Sequence, residues 1–211
     1  MRLLDLFCGA GGAGMGYHRA GFEVVGVDIK PQKHYPFEFH CADAFAFLEK
    51  HGHEFDVIHA SPPCQAYSHA TPDRSKHKDL VGLVREALQA TGKPYIIENV
   101  PGAPLHFPVT LCGTMFGLCH EEEAVHLRRH RLFESPSLVL GPGGCHCCGV
   151  DTAHVTGHMG KMNRHKTHGI HAGYEEAKTM MGIDWMNRDE LAQAIPPAYT
   201  LWIGQRLLEV L

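Results

Sequence analysis

No apolar run in this chain approaches the roughly 18 residues that a membrane-spanning helix needs, which argues against an integral helical membrane protein. No internal repeat or low-complexity tract interrupts it, so neither a solenoid nor a flexible tail is indicated. Positive charge is not in excess: 19 Lys and Arg stand against 23 Asp and Glu. A mildly acidic total does not exclude a nucleic-acid partner, because local charge decides such binding. Charged residues are only 20% of the chain and apolar ones 44%, values that fit neither wholesale disorder nor a coiled coil. The first residues, Met1 to Phe7, enter a glycine-rich turn at once, unlike a secretory signal. The expectation is a soluble, cytoplasmic protein of 211 residues, one full-sized α/β domain with a small appendage.

Tryptophan is scarce, with two residues against eighteen histidines, and six of those histidines lie between His146 and His171. Eight cysteines are scattered through the chain, and three crowd together at Cys145, Cys147 and Cys148. In a reducing compartment that pattern favours chemistry or metal over disulfides. No acid occurs from Thr152 to Tyr174, whereas Lys161, Arg164 and Lys166 do. That stretch is a basic patch suited to phosphate.

The order of elements reads as alternating strand and helix. Residues 2–7 form a short apolar run that ends in Cys8-Gly9-Ala10-Gly11-Gly12-Ala13-Gly14, and a helix follows to Ala20. Glu23 to Asp28 is β-branched and closes on an acid. Further strands are expected at 37–40, 55–60 and 94–99, with helices at 42–50 and near 80–91. This pattern predicts a doubly wound, mostly parallel sheet of Rossmann-like type. After Asn99, prolines at 101, 104 and 108 and then Gly141-Pro142-Gly143-Gly144 suggest an insertion rather than sheet core. From Tyr174 periodic apolar spacing returns, which predicts helices packing back on the sheet.

Three places carry chemistry. Gly9, Gly11 and Gly14 satisfy G-x-G-x-x-G between strand and helix, and Asp28 ends the next strand, as a ribose ligand would. Taken alone, this suits a nicotinamide dehydrogenase as well as an S-adenosylmethionine enzyme. Ser61-Pro62-Pro63-Cys64-Gln65 follows the fourth strand, where an open α/β sheet binds its ligands, so Cys64 is placed as a nucleophile. Glu98 ends the fifth strand and would lie beside Cys64 if the two strands are neighbours. A thiol with a carboxyl group is a nucleophile with a proton donor or acceptor, which a dehydrogenase does not require.

Asp5-Leu6-Phe7-Cys8-Gly9-Ala10-Gly11-Gly12, Pro63-Cys64-Gln65 with Ser68, Glu98-Asn99-Val100 and Arg129-His130-Arg131-Leu132-Phe133 occur here in the order found in cytosine-C5 DNA methyltransferases, which the chain therefore resembles. Its shortness also resembles compact enzymes encoded by phages or prophages. The resemblance implies that Cys64 adds to C6 of a flipped cytosine, that Glu98 holds N3 and the exocyclic amine, and that Arg129 and Arg131 orient Glu98 and polarise the base carbonyl. It implies S-adenosylmethionine as cofactor. Phe7 would stack on adenine, Gly9, Gly11 and Gly12 would line the methionine end, Asp28 would bind the ribose and Asp43 the adenine amine, with Ile29, Ala44 and Pro63 completing the pocket. Double-stranded DNA would be the partner, met by Gln65, Ser68 and Arg74 in a mobile loop and by Lys161, Arg164 and Lys166. A cognate restriction nuclease or specificity subunit is a further partner of such enzymes. The same scaffold also allows a different transferred group, an RNA substrate, or a non-catalytic DNA-binding module.

Two motifs depart from the family pattern. Leu127 stands where the arginine motif usually begins with glutamine, and Ala192-Gln193-Ala194-Ile195 replaces a Gly-Asn pair. The expected division is 1–133 as catalytic domain, 134–173 as a small Cys/His-rich target-recognition insertion, and 174–211 as C-terminal helices. An insertion too small for its own core would benefit from zinc, and Cys145 and Cys148, at C-x2-C spacing, with His154 and His158 are the expected ligands. The alternative is an exposed polar loop with histidines near phosphate. Cys112 and Cys119 are expected to serve the fold.

Overall fold

Leu3, Leu4 and Leu6 of the first strand, β1 (Arg2–Leu6), are all nearly solvent-free, which a strand achieves only when both faces are covered. The computed structural model, which describes residues 1–68, 71–136, 141–157, 159–165 and 169–211 apart from the side chains of Arg164 and His165, shows how. The chain continues through α1 (Gly12–Ala20), β2 (Glu23–Asp28), β3 (Glu38–Cys41), α2 (Ala44–His51), β4 (Val57–Ala60), α3 (Val81–Ala90) and β5 (Tyr95–Asn99). Strands β3-β2-β1-β4-β5 pair in parallel, and two antiparallel strands, β6 (Val109–Leu111) and β9 (Arg131–Glu134), complete a seven-stranded sheet in the order β3-β2-β1-β4-β5-β9-β6. This is the doubly wound, mostly parallel α/β architecture expected from the alternating pattern.

Alternate residues along each parallel strand feed opposite cores. Leu3, Val24, Val57 and Ile96 pack on one face with Tyr17, Tyr199 and Ile203, while Leu4, Val25, Ile58 and Ile97 pack on the other with Leu48 and Leu88. The long C-terminal helix lies against α1 at very short range. A Cβ at Gly16 would sit 2.2 Å from the Pro197 carbonyl oxygen, so only glycine permits the crossing. Thr200 Oγ1 donates to the Ala13 carbonyl at 2.8 Å and locks the pair in register.

A second sheet of five strands contains β7 (Cys119–His120), β8 (Val125–Leu127), β10 (Thr152–His154), β11 (Asn163–His165) and β12 (Gly169–His171), in the order β11-β12-β10-β8-β7. Helices α4 (Tyr174–Met181) and α5 (Arg188–Gln193) cover it with Ala177, Met180, Met181 and Leu191, and α6 (Pro197–Val210) returns to the large sheet. The small sheet takes strands from both sides of Phe133, so the boundary expected at 133/134 does not isolate it. The segment after Asn99, read as an insertion, supplies β6 and β9 to the large sheet. The reason is packing: Phe133 and Leu111 fill the core beside Ile96.

Candidate active site

The turn from β1 to α1 is wound tightly, with φ of 57° at Phe7, 50° at Gly9 and 84° at Gly11. The Asp28 carboxylate accepts the Gly9 N–H at 3.1 Å and the Lys30 N–H at 3.0 Å, which ties the turn to the end of β2. Trp185 Nε1 donates to the Ala10 carbonyl at 2.9 Å and anchors the turn from the opposite side. A Cβ on Gly12 would come within 2.5 Å of the Ile195 carbonyl oxygen, so the two segments meet with no room for a side chain. Beside this turn opens a cleft of about 360 Å³, a size that suits a small ligand.

Asp5 lies at the cleft with its side chain fully buried. Burial raises its carboxyl to about 7, the charge of Asp28 adds to the effect, and hydrogen bonds from Tyr35 and the Gly14 N–H oppose it. Its Oδ1 has no hydrogen-bond partner among the described residues.

Parallel pairing of β4 with β5 sets Ala60 beside Ile97, so Ser61 and Glu98 leave the sheet side by side. Asn99 Nδ2 donates to the Pro62 carbonyl at 3.0 Å and holds the Pro62-Pro63-Cys64 turn against β5. Antiparallel pairing of Asn99 with Leu132 brings Arg131 to the same place, where its Nε lies 3.2 Å from Glu98 Oε1. Cys64, Glu98 and Arg131 all line the cleft. Burial raises the Glu98 carboxyl above its ordinary value, against the pull of Arg131, Ser61 and Arg129. Burial and then the Glu98 charge raise the Cys64 thiol, against Arg131 and Arg129.

Behind Glu98 runs a buried polar chain. Tyr17 Oη lies 2.9 Å from His59 Nδ1, His59 Nε2 lies 2.9 Å from Ser61 Oγ, and Ser61 hydrogen-bonds Glu98. Burial lowers the His59 imidazole to about 3, so the ring is neutral at physiological pH and one nitrogen must accept. If Ser61 donates to Glu98, it accepts from His59 Nε2–H, and Nδ1 then accepts from Tyr17. Tyr17 and His59 do not stand out in the sequence, although a histidine inside the four-residue buried strand Val57–Ala60 signals a need for partners.

The sequence profile of the C-5 cytosine-specific DNA methylases matches residues 1–106, half of the chain and the part that carries the glycine turn, Cys64 and Glu98. The chain belongs to that family. Two curated type II methyltransferases are each 30% identical to it: M.FnuDI of Fusobacterium nucleatum over 113 residues, 48% of this chain and 33% of that protein, and M.XorII of Xanthomonas oryzae pv. oryzae over 118 residues, 47% and 28%. The matched part thus spans about a third of those relatives' length. Among solved structures, a candidate DNA modification methyltransferase from an E. coli prophage superposes with a TM-score of 0.65 at 15% identity, over 99% of both chains. The S. pombe Dnmt2 methyltransferase gives 0.63 at 12% identity, over 100% of this chain and 99% of that one. At such identities these structures bear on the fold alone.

Within this methylase-family fold, Phe7, Gly9, Gly12, Asp28, Ile29, Pro63 and Gln65 line the cleft. Gly11, Asp43 and Ala44 lie elsewhere. A Cβ on Gly11 would meet Pro36 Cδ at 2.8 Å, so this glycine serves packing. Asp43 accepts the Phe45 and Ala46 N–H groups at 3.0 Å through Oδ1 as the N-cap of α2 and does not line the cleft, and Ala44 is buried in the core behind it. Arg129 also departs from expectation. It is buried and donates to the carbonyls of Ala194 at 2.9 Å, Val155 at 3.1 Å and Ala192 at 2.7 Å, clamping two segments instead of pairing with Glu98. Desolvation lowers its guanidinium to about 9.

Ser68 and Arg74 share one loop, in which Arg74 Nε donates to the Ser68 carbonyl at 3.1 Å. Lys161 is exposed and Arg164 is in β11, while Lys166 lies outside the described residues. The expected metal set is not brought together. Cys148 is exposed, His154 sits in β10 beside His171, and His158 lies outside the described residues. Cys145 instead converges with Cys112, His130 and Cys147, because β8 and β9 carry His130 towards the connection that follows β6. Cleft residues that the sequence reading left without a role include Asp5, Met186 and Glu190, the last two outside every motif, and Gln193 of the motif that departs from the family pattern lines the cleft as well.

Proposed function

We propose that this protein methylates C5 of cytosine in duplex DNA through a covalent adduct between Cys64 and C6. The observation that carries the reading is the meeting of Cys64, Glu98 and the Arg131–Glu98 ion pair at one cleft beside the glycine turn. S-adenosylmethionine fits the residues present. The unpartnered, buried Oδ1 of Asp5 suits its cationic ammonium, and Phe7, Gly9, Gly12, Asp28 and Ile29 offer an aromatic face, open backbone and an acid. Bound there, it supplies an electrophilic methyl group.

This chain's residues then act on the base. A cytosine inside a duplex is out of reach of the cleft, so the base must be flipped out. Glu98, held towards its neutral form by burial, donates a proton to N3 and accepts from the exocyclic amine, which draws electron density from C6. While Glu98 still carries its proton, the repulsion that raises Cys64 is absent, so the thiol gives its proton to water in the cleft first, and Glu98 passes its own proton to N3 as the sulfur bonds to C6. The Cys64 sulfur bonds to C6 and the C5–C6 π pair moves to C5, which becomes the nucleophile. After C5 has been alkylated, its proton passes to water in the cleft, the C–H pair re-forms the C5–C6 double bond, Cys64 leaves as the thiolate, and N3 returns its proton to Glu98. Arg131 keeps Glu98 aimed and lies near the base carbonyl. Gln65, Ser68 and Arg74 follow Cys64 in a loop suited to contacting the DNA backbone. The cytoplasm, where DNA and cofactor coexist, is the place of action.

Incubation with labelled S-adenosylmethionine and duplex DNA carrying 5-fluorocytosine tests the reading, because fluorine cannot leave C5 as a proton. A covalent protein–DNA band that is lost in Cys64→Ala, with cofactor binding intact, is the expected result, and turnover on ordinary DNA falls by about 10⁴-fold or more. Methylation retained by Cys64→Ala would sink the mechanism, and a band formed only with RNA would change the substrate.

A further inference from the structure

We propose that Cys112, His130, Cys145 and Cys147 bind one structural zinc ion that fastens the Cys/His-rich connection to the back of the active site. One ligand atom from each of the four lies within 4.8 Å of the other three. His130 Nε2 is 3.4 Å from Cys145 Sγ and 3.6 Å from Cys147 Sγ. Tetrahedral zinc with bonds of about 2.3 Å to sulfur and about 2.05 Å to nitrogen sets those atoms about 3.6 Å apart, so the cluster already has the size of a coordination shell. Three thiols and one imidazole, with no carboxylate, form a soft set that selects zinc over magnesium or calcium.

The surroundings support a metal over a chance gathering of thiols. Thr114 Oγ1 donates to Cys112 Sγ at 3.5 Å and lies 3.6 Å from Cys145 Sγ, the outer hydrogen bonding that steadies coordinated thiolates. The Thr114 hydroxyl also accepts the His146 N–H at 3.3 Å, which brings the ligand loop against the turn after β6. From residue 141 to 150 only Cys147 is buried, so that stretch has no apolar core to hold it. Zinc at Cys145 and Cys147 would supply what packing does not.

The position of His130 gives the metal its consequence. It sits between Arg129, which grips the carbonyls of Val155, Ala192 and Ala194, and Arg131, which pairs with Glu98. Arg131 also donates to the His130 carbonyl at 2.8 Å. A metal bond to the imidazole therefore fixes the backbone from which both arginines reach. All four ligands come from the protein, so no coordination position is left for water and the ion is structural.

Metal analysis of the purified full chain after extensive dialysis should find one zinc per chain. The metal should be retained in Cys148→Ser, whose thiol is outside the cluster, and lost in Cys112→Ser and in Cys147→Ser. Because those losses could reflect misfolding, the wild-type protein is also stripped and reloaded with cobalt. Visible ligand-field bands with intense thiolate charge transfer are expected, and His130→Cys should keep the metal while shifting those bands towards a four-thiolate spectrum. Folded wild-type protein that carries no zinc and takes up no cobalt would overturn the proposal. So would a cobalt spectrum unmoved by His130→Cys, or a Cys112, Cys145 or Cys147 thiol found in a disulfide in the protein as isolated.

Discussion

The large sheet and the seam where it meets the small one place their reactive groups by different means. In the seven-stranded sheet the means is register: Ser61 and Cys64 follow the end of β4, Glu98 lies near the end of its neighbour β5, and Arg131 arrives on the antiparallel β9. At the seam with the five-stranded sheet the means is convergence, with the Cys112, His130, Cys145 and Cys147 group drawn from three connections that run between the two sheets. Register follows once strands are ordered, so it survives small changes in loop length. Convergence depends on each connection closing correctly. Arg129 and Arg131 lie at the seam, two residues apart, and divide the labour: one holds backbone and the other holds the carboxyl group.

Breaking the chemistry on the register side should have the largest effect. Glu98→Gln keeps the shape but cannot protonate N3, and kcat should fall by about 10²–10³-fold in single-turnover assays while DNA binding persists. A loss below tenfold would mean that the ring is activated by another group. The division between the arginines is tested next. Arg129→Met leaves three carbonyls without their buried partner and should cost about 3 kcal/mol in urea unfolding. Arg131→Met should instead spare stability and reduce turnover. If both variants fail in the same assay, the proposed difference between them is wrong.

The smallest effect concerns Asp5, which shares the cleft but lies beneath the glycine turn. Its carboxyl is raised from 3.8 to about 7, so between those values the folded chain holds a proton that the unfolded chain has released. Its contribution to stability therefore falls as pH rises through that window, by about 1.4 kcal/mol per pH unit at most, and is complete below it. Asp5→Asn should remove this slope from urea midpoints measured between pH 4.5 and 6.5. An unchanged slope would show that Asp5 is ionised in the folded protein.

Alternating apolar strands and short glycine or proline joins were enough to read the parallel sheet, because buried parallel strands demand continuous apolar runs. Cys64 and Glu98 were legible for the same reason: once β4 and β5 are neighbours, their ends must be neighbours too. The family resemblance gives Arg129 and Arg131 the same task at Glu98, yet a motif is silent on which face each residue takes as the chain enters β9. The resemblance places Asp43 at adenine, whereas in the fold its Oδ1 caps α2 and the residue stands outside the cleft lining.

What the sequence by itself determined is the layered sheet, the glycine turn and the thiol and carboxyl groups at adjacent strand ends, all products of local pattern and strand order. Only the tertiary structure decided that Tyr17 and His59 stand behind Ser61, that Arg129 clamps the C-terminal segment, and that Cys112 and His130, in place of Cys148 and His154, join Cys145. Those contacts join residues whose side chains meet only after distant segments pack, and burial, not spacing, selects which polar groups must find one another.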